Sequence, residues 1–142
     1  MKITTEIKAI LIASFCLIGN LAETQVIKFL PNINVPFAGY MTINNESNKD
    51  IEIYKIRSDD FEKIEIHQTK IINNQTSMQK ISRLVVKAKS KIELKPGGIH
   101  LMLFKPTKVL AHDDITEIHF LDVSEKVLFS ESFTLKNRAR NY

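Results

Sequence analysis

Past residue 23, no part of this chain carries an apolar stripe at helical spacing. Short runs of alternating apolar and polar residues are instead broken by turn-forming clusters roughly every 8–12 residues, the pattern of a strand sandwich or barrel. Residues 39–44 read as a strand that stops at Asn45-Glu46-Ser47-Asn48, with Met41 and Ile43 facing the core together. Residues 51–56 read as the next, closed by Arg57-Ser58-Asp59-Asp60. Over residues 63–71, Ile64 and Ile66 face one side while Glu65, His67 and Thr69 face the other, as the period of two requires. Asn73-Asn74-Gln75-Thr76-Ser77 reads as a polar turn, followed by short extended pieces at 78–81, 84–87 and 91–94. After a strand at 98–104 and a long connection at 105–114, residues 117–122 and 127–135 form a hairpin around Ser124-Glu125-Lys126. The basic tail, 136–142, is expected to fray. A chain of strands alone buries its apolar faces most readily between two packed antiparallel sheets. The expected fold is therefore all-β: an antiparallel β-sandwich of immunoglobulin-like or cupredoxin-like Greek-key type.

The stretch at 94–104 organises the rest. Pro96 presets φ for the second position of a turn, and Gly97 accepts the positive φ of the third. Alternation follows at once. Ile99, Leu101 and Leu103 form an apolar row, and His100 and Met102 share the opposite face. An imidazole and a thioether thus stand side by side just past a tight turn.

With 142 residues, the chain is one domain behind a leader, long enough for a core without staples. Residues 1–22 have a basic start at Lys2 and Lys8, an apolar run at 9–18, and Gly19, Asn20 and Ala22 near the end, the pattern of a secretory signal peptide. The apolar run is shorter than the roughly 20 residues a spanning helix needs. Export to the periplasm is expected, with residues 23–142 as the mature domain. Cys16 lies within the leader, and Phe15 before it is too bulky for a lipid-attachment site. It is the chain's single cysteine, so the mature domain has no disulfide, no CxxC redox motif, no thiolate metal site and no cysteine nucleophile. A blue-copper electron-transfer centre, which needs a Cys ligand, is excluded too. The net charge of +4 is spread over scattered lysines with no Arg-rich block or interleaved aromatics, which argues against nucleic-acid binding.

Four residues stand out: His67, Met78, His100 and Met102. Their spacing is His-x10-Met-x21-His-x-Met, closed by Pro96-Gly97-Gly98 and the segment His100-Leu101-Met102-Leu103. This pattern resembles the periplasmic copper chaperones of the PCu(A)C family, and residues 39–45 look like that family's early strand. The resemblance covers about residues 37–135. It implies one Cu(I) per chain, held by His67, Met78, His100 and Met102. It also implies transfer to the copper centre of a membrane-bound cytochrome c oxidase subunit, or exchange with another copper chaperone. The chemistry agrees on its own terms. Thioether sulfur is soft and selects Cu(I), and imidazole suits copper. Thioethers also cannot be lost to disulfides in an oxidising compartment. Many family members carry a Met directly after the first His, where this chain has Gln68, and the tail at 136–142 lacks the His and Met that others use for further copper.

The remaining histidines point to no chemistry. His112 lies beside Asp113 and Asp114 in a predicted loop, with no nucleophile placed near it. His119, between Ile118 and Phe120, reads as a solvent-facing strand residue. No Gly-rich phosphate loop, HExxH or Ser-centred motif is present. The expected function is a copper metallochaperone, monomeric, with no small-molecule substrate and no enzymatic activity. Two alternatives use other logic: a copper-storage or tolerance protein with the same site, and an exported immunoglobulin-like interaction module in which the His/Met cluster is incidental.

Overall fold

A computed structural model describes residues 25–29 and 35–137. The expected signal peptide, and the tail from residue 138, lie outside the described residues. Those described form eleven strands and no helix: β1 (Val26–Phe29), β2 (Phe37–Asn45), β3 (Ile51–Ile53), β4 (Lys55–Ser58), β5 (Phe61–Ile72), β6 (Gln75–Ile81), β7 (Leu84–Val86), β8 (Ser90–Leu94), β9 (Ile99–Pro106), β10 (Ile115–Leu121) and β11 (Val127–Asn137).

The main ladder runs β1-β11-β10-β4-β5-β9-β2-β8, β6 pairs with β5, and a separate two-stranded ladder joins β3 to β7. Non-consecutive neighbours such as β4 beside β10 and β9 beside β2 make it a crossing, Greek-key arrangement. β1 pairs with β2 as well as with β11, so the ladder returns on itself and leaves few open edges. Every pairing is antiparallel except β1 with β11. The all-β sandwich expected from the alternation is borne out.

One core fills the interior. Ile27, Met41, Ile43, Ile64, Ile66, Leu101, Leu103, Ile118, Phe120, Phe133 and Leu135 are all buried in it. The Ile99-Leu101-Leu103 row faces inward as its period of two demands. Gly39 sits where β2 crosses this row, and a Cβ there would lie 3.1 Å from Leu101 Cβ and 3.3 Å from Leu103 Cδ1. Gly39→Val is therefore expected to overpack the core and destabilise the fold by about 1–3 kcal/mol. The urea midpoint checks this, and an unchanged midpoint would refute it.

The Pro96-Gly97 turn forms as its residues dictate. Gly98 N donates to Lys95 O at 3.1 Å, and Gly97 takes φ of +77° at the third position. The turn separates two strands that both pair antiparallel to β2.

Several boundaries differ from the sequence reading. The polar stretch at 73–77 is a turn only at Asn73-Asn74, both with positive φ, and β6 starts at Gln75 opposite Ile72. Two asparagines tolerate the left-handed pair that a two-residue hairpin requires, so no longer loop is needed. Residues 51–56 are two strands, because Tyr54 N turns to donate to Leu121 O while Ile51–Ile53 pair with β7. β1 was not expected as a strand. The tail holds its strand two residues further than predicted, since Lys136 and Asn137 pair with Lys28 and Phe29.

At the β4–β5 turn, Asp60 ties down the long connection at 107–114, between β9 and β10. Its carboxylate accepts from Lys108 Nζ at 2.7 Å, and its carbonyl accepts from Thr107 N at 2.9 Å. The Lys108 ammonium, helped by the Thr116 hydroxyl and opposed by burial, holds the Asp60 carboxyl below its ordinary 3.8. A lowered folded-state pKa contributes stability above the unfolded value, lost as pH falls through the folded one. Asp60→Asn should thus be less stable than the parent at neutral pH, the gap closing as pH falls below 3.8. A gap constant with pH in denaturation curves would refute the assignment.

Candidate metal centre

Strand register brings the four candidate ligands onto one face. β5 and β9 pair with His67 opposite His100 and Glu65 opposite Met102. β6 pairs with β5 with Met78 opposite Thr69 and Lys80 opposite His67. Because residues 66–68 of β5 pair with both strands, β6 and β9 occupy opposite edges of β5. Directly opposed residues share a face. Met78, His67, His100 and Met102 therefore emerge together across three adjacent strands. Each methionine is a diagonal neighbour of His67, a separation of about 7–8 Å that a long side chain can span.

At the centre, the rings of His67 and His100 are 6.2 Å apart. Phe104 flanks His67 at 6.4 Å, and Lys63 Nζ lies 4.4 Å from the Phe104 ring centre. Alternation alone places His67 and His100 on the faces opposite the apolar rows, with no statement of their burial. His100 is only 4% exposed, and the His67 side chain 15%. Met78, at the middle of the β5–β6 ladder, is 56% exposed.

The hydrogen bonds set the tautomers. His67 Nε2 is 2.9 Å from Glu65 Oε2. Glu65 is held down to about 2, first by the hydrogen bond from Lys80 and next by that from His67. It is thus an ionised acceptor at neutral pH, and in a neutral His67 ring the proton sits on Nε2 and the lone pair on Nδ1. That Nδ1 is buried and has no hydrogen-bond partner, the one such side-chain nitrogen or oxygen among the described residues. In His100 the assignment is reversed. Nδ1 lies 3.1 Å from Gly98 O, a carbonyl that can only accept, so Nε2 carries the lone pair.

An unpaired buried lone pair costs about 1–3 kcal/mol, and a bound cation would satisfy it. Histidines that ligate metals usually donate their other ring N–H to a carboxylate or carbonyl, and both rings here do so. Among the described residues no three His, Cys, Asp or Glu side chains are gathered to hold a metal ion. The further soft donors that the register puts on this face are the thioethers of Met78 and Met102, which favour a soft monovalent ion.

Sequence reasoning missed Glu65 as the partner of His67, although the alternation already placed it on the same face two residues away. The Gly98 carbonyl and the Phe104 cover left no signal, because both depend on how the turn and β9 sit. His112 is in the loop expected for it, accepting from Asn137 N at 3.0 Å through Nδ1. His119 Nδ1 and Ser130 Oγ are 2.7 Å apart, on β10, which β4 separates from β5. A cleft of about 690 Å³ beside β4 and β5 includes Glu65 and Lys80 in its wall but none of the four candidate ligands.

Residues 24–122 match a family described as "Putative lipoprotein LpqE-like". The protein described as uncharacterized protein RP573 from Rickettsia prowazekii (strain Madrid E) is 34% identical over 108 residues, 69% of this chain. This chain matches over 59% of that relative's length. Among solved structures, the copper-bound PCuAC domain from PmoF2 superposes with a TM-score of 0.64 at 15% identity, over 82% of this chain and 91% of that domain. Cu(I)-DR1885 from Deinococcus radiodurans superposes with a TM-score of 0.62 at 20% identity, over 80% of this chain and 75% of the other. The fold implied by the motif's resemblance is thus the one observed. The chain belongs to the LpqE-like family and is built on the fold of the PCuAC domains.

Proposed function

We propose that this protein is a copper metallochaperone that holds one Cu(I) between His67, His100, Met78 and Met102 and passes it on by ligand exchange. The observation that carries this reading is the buried, unpartnered His67 Nδ1 beside His100 on a face that also bears two thioethers. The solved PCuAC structures of the same fold, one described as copper-bound and one as Cu(I)-loaded, support it. The gradient from the buried His100 to the exposed Met78 suits release: an incoming donor meets the thioether first. Export to the periplasm fits a domain without cysteine past the proposed leader. The acceptor proposed is the copper centre of a membrane-bound cytochrome c oxidase subunit, or a second chaperone.

The test is an anaerobic Cu(I) titration against a coloured chelator. One tight equivalent per chain is expected; binding no better than a His-bearing control protein would sink the reading. A deletion strain then separates delivery from storage. Loss of oxidase activity at low copper supports delivery, and sensitivity to excess copper with normal oxidase activity supports storage.

A further inference from the structure

Glu65 does more than balance charge. Its side chain is 13% exposed and is gripped from three sides: by Lys80 Nζ at 2.8 Å, by Lys63 Nζ at 3.5 Å and by His67 Nε2 at 2.9 Å. The two lysines hold Oε1, which leaves Oε2 to the imidazole. Glu65 is fixed in register opposite Met102, so the carboxylate sits on the metal face, adjacent to a candidate ligand on each of two strands. A carboxylate anchored in this way constrains both the rotation of the His67 ring and the position of its proton. The His100 ring is constrained in the opposite sense by Gly98 O.

We propose that Glu65 is the positioning residue of this face: it locks His67 in the Nε2–H form, so that Nδ1 of His67 and Nε2 of His100 are the two nitrogens offered to the metal. The inference rests on the copper reading above for its ligand, but its first test needs no copper. In the apo protein at neutral pH, long-range ¹H–¹⁵N spectra of the imidazoles should show His67 as Nε2–H and His100 as Nδ1–H. Glu65→Gln keeps an oxygen acceptor and should keep the His67 tautomer. Glu65→Ala removes the acceptor and should release His67 into a mixture of both forms.

In the Cu(I) titration, Glu65→Ala should lose about 10–100-fold in affinity, the range for a lost outer-shell partner, and Glu65→Gln should recover most of it. An Nδ1–H form of His67 in the parent chain would overturn the proposal. So would an alanine variant with unchanged tautomer or unchanged affinity. If the alanine variant fails to fold, the parent tautomers and the Gln variant still decide. If the parent binds no Cu(I), the copper reading fails, while the apo spectra separately report whether Glu65 holds His67.

Discussion

His100→Ala is expected to abolish tight Cu(I) binding while leaving the fold intact. His100 is buried on the face opposite the Leu101-Leu103 row, so its truncation leaves the main core untouched. Its one recorded hydrogen bond is to Gly98 O, and that carbonyl also accepts from Thr69 N at 3.1 Å, so no backbone group is orphaned. The cost falls on the metal. Losing a ligand should exceed the roughly 10–100-fold penalty typical of an outer-shell partner, so affinity should fall by more than about a hundredfold. Met78→Ala should fall less, on the order of tenfold, because an exposed thioether forgoes little buried packing and water or another donor can take its place. Competition titrations of both variants, beside amide spectra that confirm folding, check the order. Equal affinities for the parent and His100→Ala would refute it.

Phe133→Ala should do the reverse. Phe133 is fully buried on β11, opposite Thr116 of β10 and away from the three strands that carry the candidate metal face. Removing a buried phenyl ring costs about 3–5 kcal/mol through lost transfer energy and the cavity left behind. A loss of that size is a large share of the roughly 5–15 kcal/mol that holds a domain together. The urea midpoint should drop sharply, with Cu(I) affinity unchanged at low temperature wherever the variant is still folded. A shift below about 1 kcal/mol would mean that the core relaxes around the loss, contrary to its close packing. Together the two variants separate binding from stability.

The fold class was legible because alternation is a local signal. Ile64 and Ile66, and Leu101 and Leu103, declare their faces with no knowledge of their neighbours, and the structure buries all four. The strand Val26–Phe29 was not legible, because four residues are too few to show a period and its place depends on β2 and β11, far along the chain. The break at Tyr54 was hidden for the same reason: a hydrogen bond to Leu121, sixty-seven residues away, sends the two halves of one apolar run to different ladders.

The candidate site was legible as a list of residues and their spacing, not as a surface. Alternation put His67 on one face of its strand and His100 with Met102 on one face of theirs. Only the register of β5 with β9 and β6 shows that these are the same face. The burial of His100 was not legible, because alternation gives the face of a residue and not the neighbours that cover its ring. The tautomers were beyond reach, since they follow from Glu65 Oε2 and Gly98 O, and these distances exist only once the turn and strands are in place.

The most direct measurement is X-ray absorption at the copper edge of the Cu(I)-loaded full chain. A first shell of two nitrogens and two sulfurs is the result predicted, with one sulfur lost in Met78→Ala. A shell of nitrogen and oxygen alone would contradict the account, for it would take both thioethers out of the site and leave His67 and His100 as an ordinary imidazole pair.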